Sequence, residues 1–426
     1  MPVIASLLSG RSWPFSDPLG TIFSVCFREE SSFSIVNVSR DGIKPTGQKL
    51  QKNATIEAML IQSLNEPPFG ATITDFDCAI PNNDAADEIR LALHHHQLLV
   101  IRNQQHLTPQ QEVAFYRSID INGLTIWRDQ TNNPWEVFKV AQGNKAGTYQ
   151  IPEEPGVLVL GKGEIDHYGL KVTLGGDRGA YGKDQGSQVL GGGALQWHID
   201  GTFYEYAPCH YTQMRCIEAP TGSGHWLSYD KETEDKLWCE AGSTAFASGR
   251  LAYDMLPPDS QQLCLQTRVH YASRPFETTY ELGNSSNGLR ISEHEGERRY
   301  SLGEDIPGAT IDDPLAQVYP LIWTCPVTKQ HALMPHPRCM HTIEQSTEAG
   351  NYFLGVIESR LQVEAWMRPA IAPELVYVHA WQPGDLVIWD NRSIWHSATG
   401  KLSREDRRIM HLTAYNGDES PSCVSH

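Results

Sequence analysis

The alternation of apolar and polar residues predicts that a folded domain begins near residue 68. Residues 70–75 have the pattern of a strand, and residues 98–101 form a short apolar run typical of a buried strand. Between them, residues 84–96 carry apolar side chains at a spacing of four, which predicts one face of a helix. The domain therefore starts with a strand, a helix and a second strand.

A second helix is predicted to start at Pro109, because Thr108 is a favourable N-cap and proline is favoured at the first helical position. Past residue 193 the chain shows short apolar runs bounded by Gly and Pro. We expect helical interruptions near residues 229–239 and 346–367. This mixture favours a mainly β fold with flanking helices, a sandwich or barrel of antiparallel strands, over a doubly wound parallel sheet.

Residues 161–193 contain eleven glycines, which predicts a long loop or a lid rather than regular elements. Lys162 and Asp166 lie in this stretch and are predicted to be solvated loop charges. Residues 1–67 show no lasting period of 2 or 3.6, so we interpret them as an N-terminal extension of uncertain order. The domain then spans residues 68–418, and residues 419–426 form a C-terminal tail.

Composition narrows the class of protein. With 40% apolar residues the 426-residue chain can fill a large core, and its net charge of −17 argues against a nucleic-acid partner. The apolar runs are far shorter than the roughly 20 residues that span a membrane, so no membrane partner is expected. Nine scattered cysteines without a C-x-x-C pair predict reduced thiols and an intracellular, cytoplasmic protein. The oligomeric state is left open.

Three residues have the chemistry of an open metal site. His198 and Asp200 stand two residues apart, so in an extended segment their side chains leave on the same face. Far downstream, a strand and a turn end at His396. Two histidines and one carboxylate leave coordination positions free, as a non-haem Fe(II) oxygenase needs for its co-substrate and O2. A structural zinc site would usually be closed by four protein ligands.

Arg408 follows His396 by twelve residues and is the candidate for holding a second carboxylate. A guanidinium group can form a bidentate pair with the distal carboxylate of a 2-oxo acid whose other end binds the metal. Arg407 is the alternative, and either arginine could instead make a structural salt bridge. The spacing favours Arg408.

A resemblance to a known family rests on three motifs. They are W-H-I-D at residues 197–200, G-D-L-V-I-W-D-N-R at residues 384–392 and the double arginine at residues 407–408. In these motifs the chain resembles the TauD/TfdA-like family of Fe(II)/2-oxoglutarate dioxygenases, over about residues 68 to 418. Within that family it is most similar to the fungal 2-oxoglutarate-dependent xanthine dioxygenases. The resemblance implies a double-stranded β-helix (jelly roll, clavaminate synthase-like) with flanking helices.

The resemblance also implies roles for single residues. His198, Asp200 and His396 match the iron ligands of the family, and Arg408 matches its oxoglutarate-binding arginine. The family's second contact to oxoglutarate, a threonine, aligns near Trp226, which becomes a second candidate for binding that co-substrate.

The substrate pocket departs from the family's polar patterns. Leu412 stands where the taurine enzymes have a sulfonate-binding arginine, and in a strand it would share a face with Met410 and Ala414. The lysine and acidic residues that the xanthine enzymes place before the W-H-x-D block have no counterpart around Gly175. An apolar pocket would leave the polar groups of a purine unpaired, at about 1–3 kcal/mol each.

The predicted function is the oxidation of a C–H bond in a small organic molecule of secondary or catabolic metabolism, with release of succinate and CO2. Hydroxylation is the default outcome, and desaturation or rearrangement stays open. Three alternatives remain: a xanthine dioxygenase that forms uric acid, a protein-modifying oxygenase, and a non-catalytic jelly-roll metal-binding protein. Other histidines, including the run at residues 94–96 and His331, His336 and His341, are interpreted as surface, loop or core residues.

Overall fold

A computed structural model gives the fold of most of the chain. It describes residues 14–16, 22–25, 35–37, 59–64, 66–80, 82–124, 148–175, 195–201, 206–228, 235–271, 287–289, 316–347, 350–400, 402 and 405–424. The chain divides into two compact units, one formed by Met1–Gln62 and Ile73–Phe76, the other by Ser63–Thr72 and Asp77–His426.

The first unit contains a small antiparallel sheet of three strands, β1 (Pro14–Ser16), β2 (Ile22–Val25) and β3 (Ile35–Asn37). Two more strands follow in the chain, β4 (Leu60–Ser63) and β5 (Ala71–Thr74). The strand expected over residues 70–75 is therefore confirmed as β5.

The second unit carries most of the strands. They are β6 (Leu98–Ile101), β7 (Thr148–Ile151), β8 (Glu154–His167), β9 (Leu170–Gly175), β10 (Tyr211–Glu218), β11 (His225–Ser228), β12 (Lys236–Cys239), β13 (Thr244–Ser248), β14 (Thr267–Tyr271), β15 (Val318–Pro320), β16 (Ile322–Thr324), β17 (His331–Leu333), β18 (Met340–Thr347), β19 (Gly350–Phe353), β20 (Tyr377–His379), β21 (Leu386–Asp390), β22 (Ile394–Ala398) and β23 (Arg408–Thr413).

Its helices are α1 (Asn83–His96), α2 (Pro109–Ile119), α3 (Gly249–Asp254), α4 (Pro258–Leu265) and α5 (Val356–Met367). Two 3-10 turns, Arg368–Ile371 and Pro373–Leu375, follow the last helix. The side chain of Thr108 accepts the backbone N–H of Gln111, and Gln111 in turn caps Thr108, so the predicted N-cap of α2 is confirmed.

Two antiparallel sheets form the body of the second unit. The larger runs in the order β6-β21-β10-β23-β8-β7, with β9 paired to β8, and the smaller in the order β20-β13-β22. Strands β14, β15, β18 and β19 form a further sheet, and β11-β12 and β16-β17 are hairpins. This is the architecture of a jelly roll, as the sequence predicts.

One face of the larger sheet packs into the main core. Met410 and Leu412 on the inward face of β23, and Ala414 directly after the strand, belong to that core together with Met214 of β10. Ile409, on the opposite face, belongs to a separate apolar cluster with residues of β8 and β9. The strict alternation along β23 therefore separates two environments.

The structure corrects the prediction of a loop over the whole glycine-rich stretch. The first half of the glycine-rich stretch is not a loop, because β8 and β9 form a regular hairpin that extends to Gly175. Gly161 permits this, since it has φ +136° and passes close to the backbone of β23. Residues 176–194 lie outside the described residues. The lid over 161–193 therefore stays a prediction only for its second half.

Strands occupy part of both expected helical interruptions. β12 covers residues 236–239, and residues 229–234 are outside the described part of the chain. Within residues 346–367 the helix begins only at Val356, after the hairpin of β18 and β19. In both segments, cross-strand pairing prevails over the helical spacing of apolar residues.

In the described ranges, no helix is both long enough and apolar enough to cross a bilayer. The eight described cysteines are free thiols, and six of them are buried.

Candidate metal centre

The backbone brings His198 and His396 together although 198 residues separate them in the chain. The backbone N–H of each histidine donates to the carbonyl of the other at 3.1 Å, which makes them an isolated antiparallel bridge pair. Directly opposed residues of this kind project their side chains to the same side. The centroids of the two imidazole rings lie 4.0 Å apart.

Asp200 completes the cluster from the same extended segment as His198. Its Oδ2 atom lies 3.9 Å from Nε2 of His396. One ligand atom from each of the three residues can be chosen so that all lie within 4.8 Å of one another. Among the residues that the structure describes, this is the one such group of histidine, cysteine and acidic side chains.

Hydrogen bonds orient two of the three side chains, those of His198 and Asp200. Nδ1 of His198 contacts the carbonyl oxygen of Gln196 at 2.8 Å, which directs Nε2 toward the cluster. The hydroxyl of Thr212 donates to Oδ2 of Asp200 at 2.9 Å. Such outer contacts fix the ring orientation and the carboxylate rotamer that a metal requires.

The protonation state also suits a metal. Burial lowers the pKa of His396 well below its usual value, and the neighbouring His198 and His336 lower it further. The imidazole of His396 is therefore neutral, so its approach to Asp200 is not an ion pair. Two imidazoles and one carboxylate converge on a point with no fourth such ligand in the described residues, which fits a divalent metal with open positions.

Asn391 is a positioning residue for the segment that carries Asp200. Its Oδ1 accepts the backbone N–H of Asp200 at 3.0 Å, and its Nδ2 donates to the carbonyl of Asp200 at 2.9 Å and to that of Cys209 at 3.1 Å. These contacts join the turn before β22 to the segment that carries Asp200.

Arg408 stands at the start of β23 on the same strand face as Met410 and Leu412. Its side chain is buried, and its Nε donates to the carbonyl of Gly242 at 2.9 Å. Arg407 leaves the strand on the other side, where it is exposed and pairs with Glu218. Of the two candidate arginines, the structure therefore places Arg408 on the interior side.

The interior face of the larger sheet, which carries Arg408, is otherwise mostly apolar. Cross-strand pairing sets Met214 opposite Leu412 and also opposite Val387. Met410, Leu412 and Ala414 are all buried in the main core. The predicted pocket residues thus share one face, as the alternation of β23 implies.

Trp226 does not fit the role that the sequence analysis gave it. Its side chain is 62% exposed and packs edge-on against Trp238 of the neighbouring strand. The alternation of β11 turns His225 inward instead, where it is buried and its Nε2 lies 3.4 Å from the carbonyl of Thr399.

His336 lies beside the cluster without joining it. Its ring centroid is 6.1 Å from that of His198, and its Nε2 is 3.4 Å from the thiol of Cys339. Burial lowers the pKa of His336 well below its usual value. His336 is thus a neutral core histidine, as the sequence analysis expected, but one that forms part of the wall of the site.

Known proteins resemble this chain over most of its length. The family model for the taurine catabolism dioxygenase TauD, TfdA family matches residues 61–414. The alpha-ketoglutarate-dependent xanthine dioxygenase xan1 of Schizosaccharomyces pombe is 30% identical, over 83% of this chain and 86% of that protein. The alpha-ketoglutarate-dependent dioxygenase bsc9 of Alternaria brassicicola is 26% identical, over 84% of this chain and 93% of that protein.

A solved structure shows the same fold. It is that of a putative alpha-ketoglutarate-dependent taurine dioxygenase from Burkholderia xenovorans, with a TM-score of 0.53 and 18% identity. The alignment covers 86% of this chain and 92% of that one.

Proposed function

Because this chain belongs to the TauD, TfdA family of dioxygenases, we propose that it oxidises a C–H bond of a small organic molecule with Fe(II), 2-oxoglutarate and O2. The overall reaction consumes the substrate, 2-oxoglutarate and O2 and forms the hydroxylated product, succinate and CO2. The convergence of His198, Asp200 and His396 is the observation that carries this proposal.

The three residues would hold the ferrous ion by two imidazoles and one carboxylate. When bound, iron activates O2 and gives it the oxidising power that the C–H bond requires. The protein's own contribution is geometric. Asn391 and Thr212 fix the position of Asp200, and the hydrogen bond to Gln196 fixes the ring of His198.

Arg408 would bind the distal carboxylate of 2-oxoglutarate. Its guanidinium group is buried, and its Nε donates to the carbonyl of Gly242. A guanidinium group in such a place is suited to a charge-assisted hydrogen bond with a carboxylate. A buried cation at a fixed place selects a diacid over a monoacid, because only the diacid has a second carboxylate to pair with it.

The apolar wall supports a substrate with a substantial hydrocarbon surface. The wall offers no strong hydrogen-bond donor or acceptor to a ligand beside the metal, because it is formed by Met214, Met410 and Leu412. Such a wall also excludes water from a reactive centre, which suppresses side reactions. Hydroxylation of an aliphatic carbon in a small molecule suits this surface better than modification of a polypeptide.

Xanthine is the second candidate substrate, because relatives at about 30% identity are named for it. The inward side chains of β23 argue against it. A purine in contact with Leu412 and Ala414 would leave donors and acceptors unpaired, at about 1–3 kcal/mol each.

The test of the proposed function is succinate release. Protein loaded with Fe(II) and 2-oxoglutarate should form succinate when O2 is admitted, faster in the presence of a true substrate from a metabolite screen. The His198→Ala variant should lose turnover and keep its fold, because it removes a ligand at a segment held by backbone bonds. Decarboxylation at the native rate in this variant would exclude the ligand assignment. Absence of succinate from the wild-type protein would favour a non-catalytic metal-binding protein.

Xanthine is tested in the same assay. We expect no stimulation of succinate formation and no uric acid. Strong stimulation by xanthine would make the second candidate the correct one.

A further inference from the structure

Trp389 on β21 carries a buried polar group that the described part of the chain does not satisfy. The side chain is 0% exposed, and its indole Nε1 has no hydrogen-bond partner there. An indole nitrogen can only donate, and a buried donor without an acceptor is costly. Such groups are rare in native proteins, and a bound ligand is one established explanation.

The indole of Trp389 lies next to the metal centre. Its ring centroid lies 4.9 Å from that of His396. Across the sheet it pairs with Thr212, whose hydroxyl donates to Asp200. Paired residues project to the same face, so the indole lies on the side of the sheet that faces two of the three candidate ligands.

The other described neighbours of Trp389 that lie on this face are apolar. Its second cross-strand partner is Leu98, and the next residue of β21 on this face is Val387. Phe246 packs edge-on against the ring, with centroids 5.2 Å apart. Within the described ranges no group accepts the indole N–H, so an oxygen of a molecule bound beside His396 would supply the missing partner.

We propose that Trp389 binds the co-substrate and donates its Nε1–H to an oxygen of the keto-acid end of 2-oxoglutarate. This inference rests on the proposed function, which places that end of the molecule at the metal beside His396. The keto acid offers carboxylate and carbonyl oxygens next to the ligand ring that Trp389 contacts. A hydrocarbon substrate would offer none.

Trp395 provides a matched control. It is also 0% exposed, and its Nε1 also lacks a partner among the described residues. It directly precedes His396 on β22, so its side chain leaves the strand on the opposite face. Both tryptophans are buried, and neither indole N–H has a partner among the described residues. They differ in that only Trp389 lies on the face that carries the metal ligands.

The experiment measures binding without turnover. Isothermal titration calorimetry gives the affinity of the protein for Mn(II), and then the affinity of the Mn(II)-loaded protein for N-oxalylglycine, the amide analogue of 2-oxoglutarate. We expect Trp389→Phe to weaken the analogue about 10-fold while Mn(II) affinity stays within about twofold. Trp389→His keeps a ring N–H and should lose less than Trp389→Phe. Trp395→Phe should bind the analogue as the wild type does.

A second measurement uses the wild-type chain alone. With Zn(II) bound and tryptophan labelled with 15N, addition of N-oxalylglycine should move one buried indole N–H resonance downfield, as expected for a new hydrogen bond to an anion. This result does not depend on whether the variants fold.

Several outcomes overturn the inference and leave the proposed function intact. These are unchanged analogue affinity in Trp389→Phe, an equal loss in Trp395→Phe or in Trp389→His, and an unchanged indole spectrum. Failure of the wild-type, metal-loaded protein to bind the analogue contradicts the proposed function itself.

Discussion

The side chain of Asn391 binds both backbone polar groups of Asp200, since its Oδ1 accepts the N–H and its Nδ2 donates to the carbonyl of that residue. The two residues are 191 positions apart in the chain. Asn391 is 0% exposed and also donates to the carbonyl of Cys209. One side chain therefore fixes the segment that carries the carboxylate ligand relative to the strand that carries His396.

The first prediction concerns this link. Asn391→Ala removes three hydrogen bonds and leaves the carboxylate of Asp200 free to move, so metal affinity should fall about 10- to 100-fold. Titration with Mn(II) measures this. Asn351→Ala, at an exposed asparagine that bonds to Glu344 on β18, is the control and should bind Mn(II) as the wild type does. An Asn391 variant with native metal affinity would contradict the positioning role.

The adjacent arginines give the second prediction. Arg408 is buried beside the core, whereas Arg407 is exposed and pairs with Glu218. Arg408→Gln should raise the KM for 2-oxoglutarate by about 100-fold, because a charge-assisted carboxylate bond contributes about 1.5–3 kcal/mol. Arg407→Gln removes an exposed ion pair and should change that KM by less than about twofold. The assay is succinate formation at varied 2-oxoglutarate. Equal effects of the two substitutions would remove Arg408 from co-substrate binding.

The metal ligands could be predicted from the sequence because two of them lie in a short local motif. The H-x-D spacing needs only an extended backbone to place His198 and Asp200 on one face. The pairing of His198 with His396 is a contact between distant segments. It was inferred from residue types and from the family resemblance, since spacing alone does not specify such a contact.

Errors arose where the answer depended on strand phase or on tertiary contact. Trp226 and His225 are adjacent, and a one-residue difference in phase decides which of them faces the interior. Asn391 acts through backbone groups 191 residues away, which no local pattern reports. The glycines of β8 suggested a loop, whereas Gly161 makes a close approach between strands possible.

Gly161 supplies the third prediction. A Cβ atom built there would lie 1.8 Å from the carbonyl oxygen of Arg408, on a backbone with φ +136°. Gly161→Ala must therefore push β8 and β23 apart, and we expect a loss of more than about 3 kcal/mol in the free energy of unfolding. Because the clash falls on Arg408, affinity for 2-oxoglutarate should also fall.

Gly350 is the matched control for that substitution. It has φ +121°, but a Cβ there meets no atom of the described residues within 4 Å. Gly350→Ala should cost only the backbone strain of about 1–2 kcal/mol. Urea denaturation of both variants measures the difference. Equal losses would show that conformation alone, and not contact with Arg408, explains the glycine at 161.

The last prediction concerns pH and a histidine pair on the outer face of the larger sheet. Nε2 of His167 lies 2.8 Å from Nε2 of His411, whose Nδ1 contacts Glu112 at 2.7 Å. Burial, together with the nearby His411 and Arg215, lowers the pKa of His167 to about 4, although Glu112 opposes the shift. The unfolded chain keeps the ordinary value of about 6.5.

Between about pH 6.5 and about pH 4, the unfolded state therefore binds a proton at His167 that the folded state does not bind. The free energy of unfolding falls as the pH is lowered through this window. His167→Gln, which removes this titration, should flatten the dependence. Urea midpoints at pH 7, 6, 5 and 4 measure it, with His106→Gln, at an exposed histidine paired with Asp77, as the control. If the free energy of unfolding of the His167 variant falls with pH as steeply as that of the wild type, the titration of His167 does not cause the loss of stability in acid.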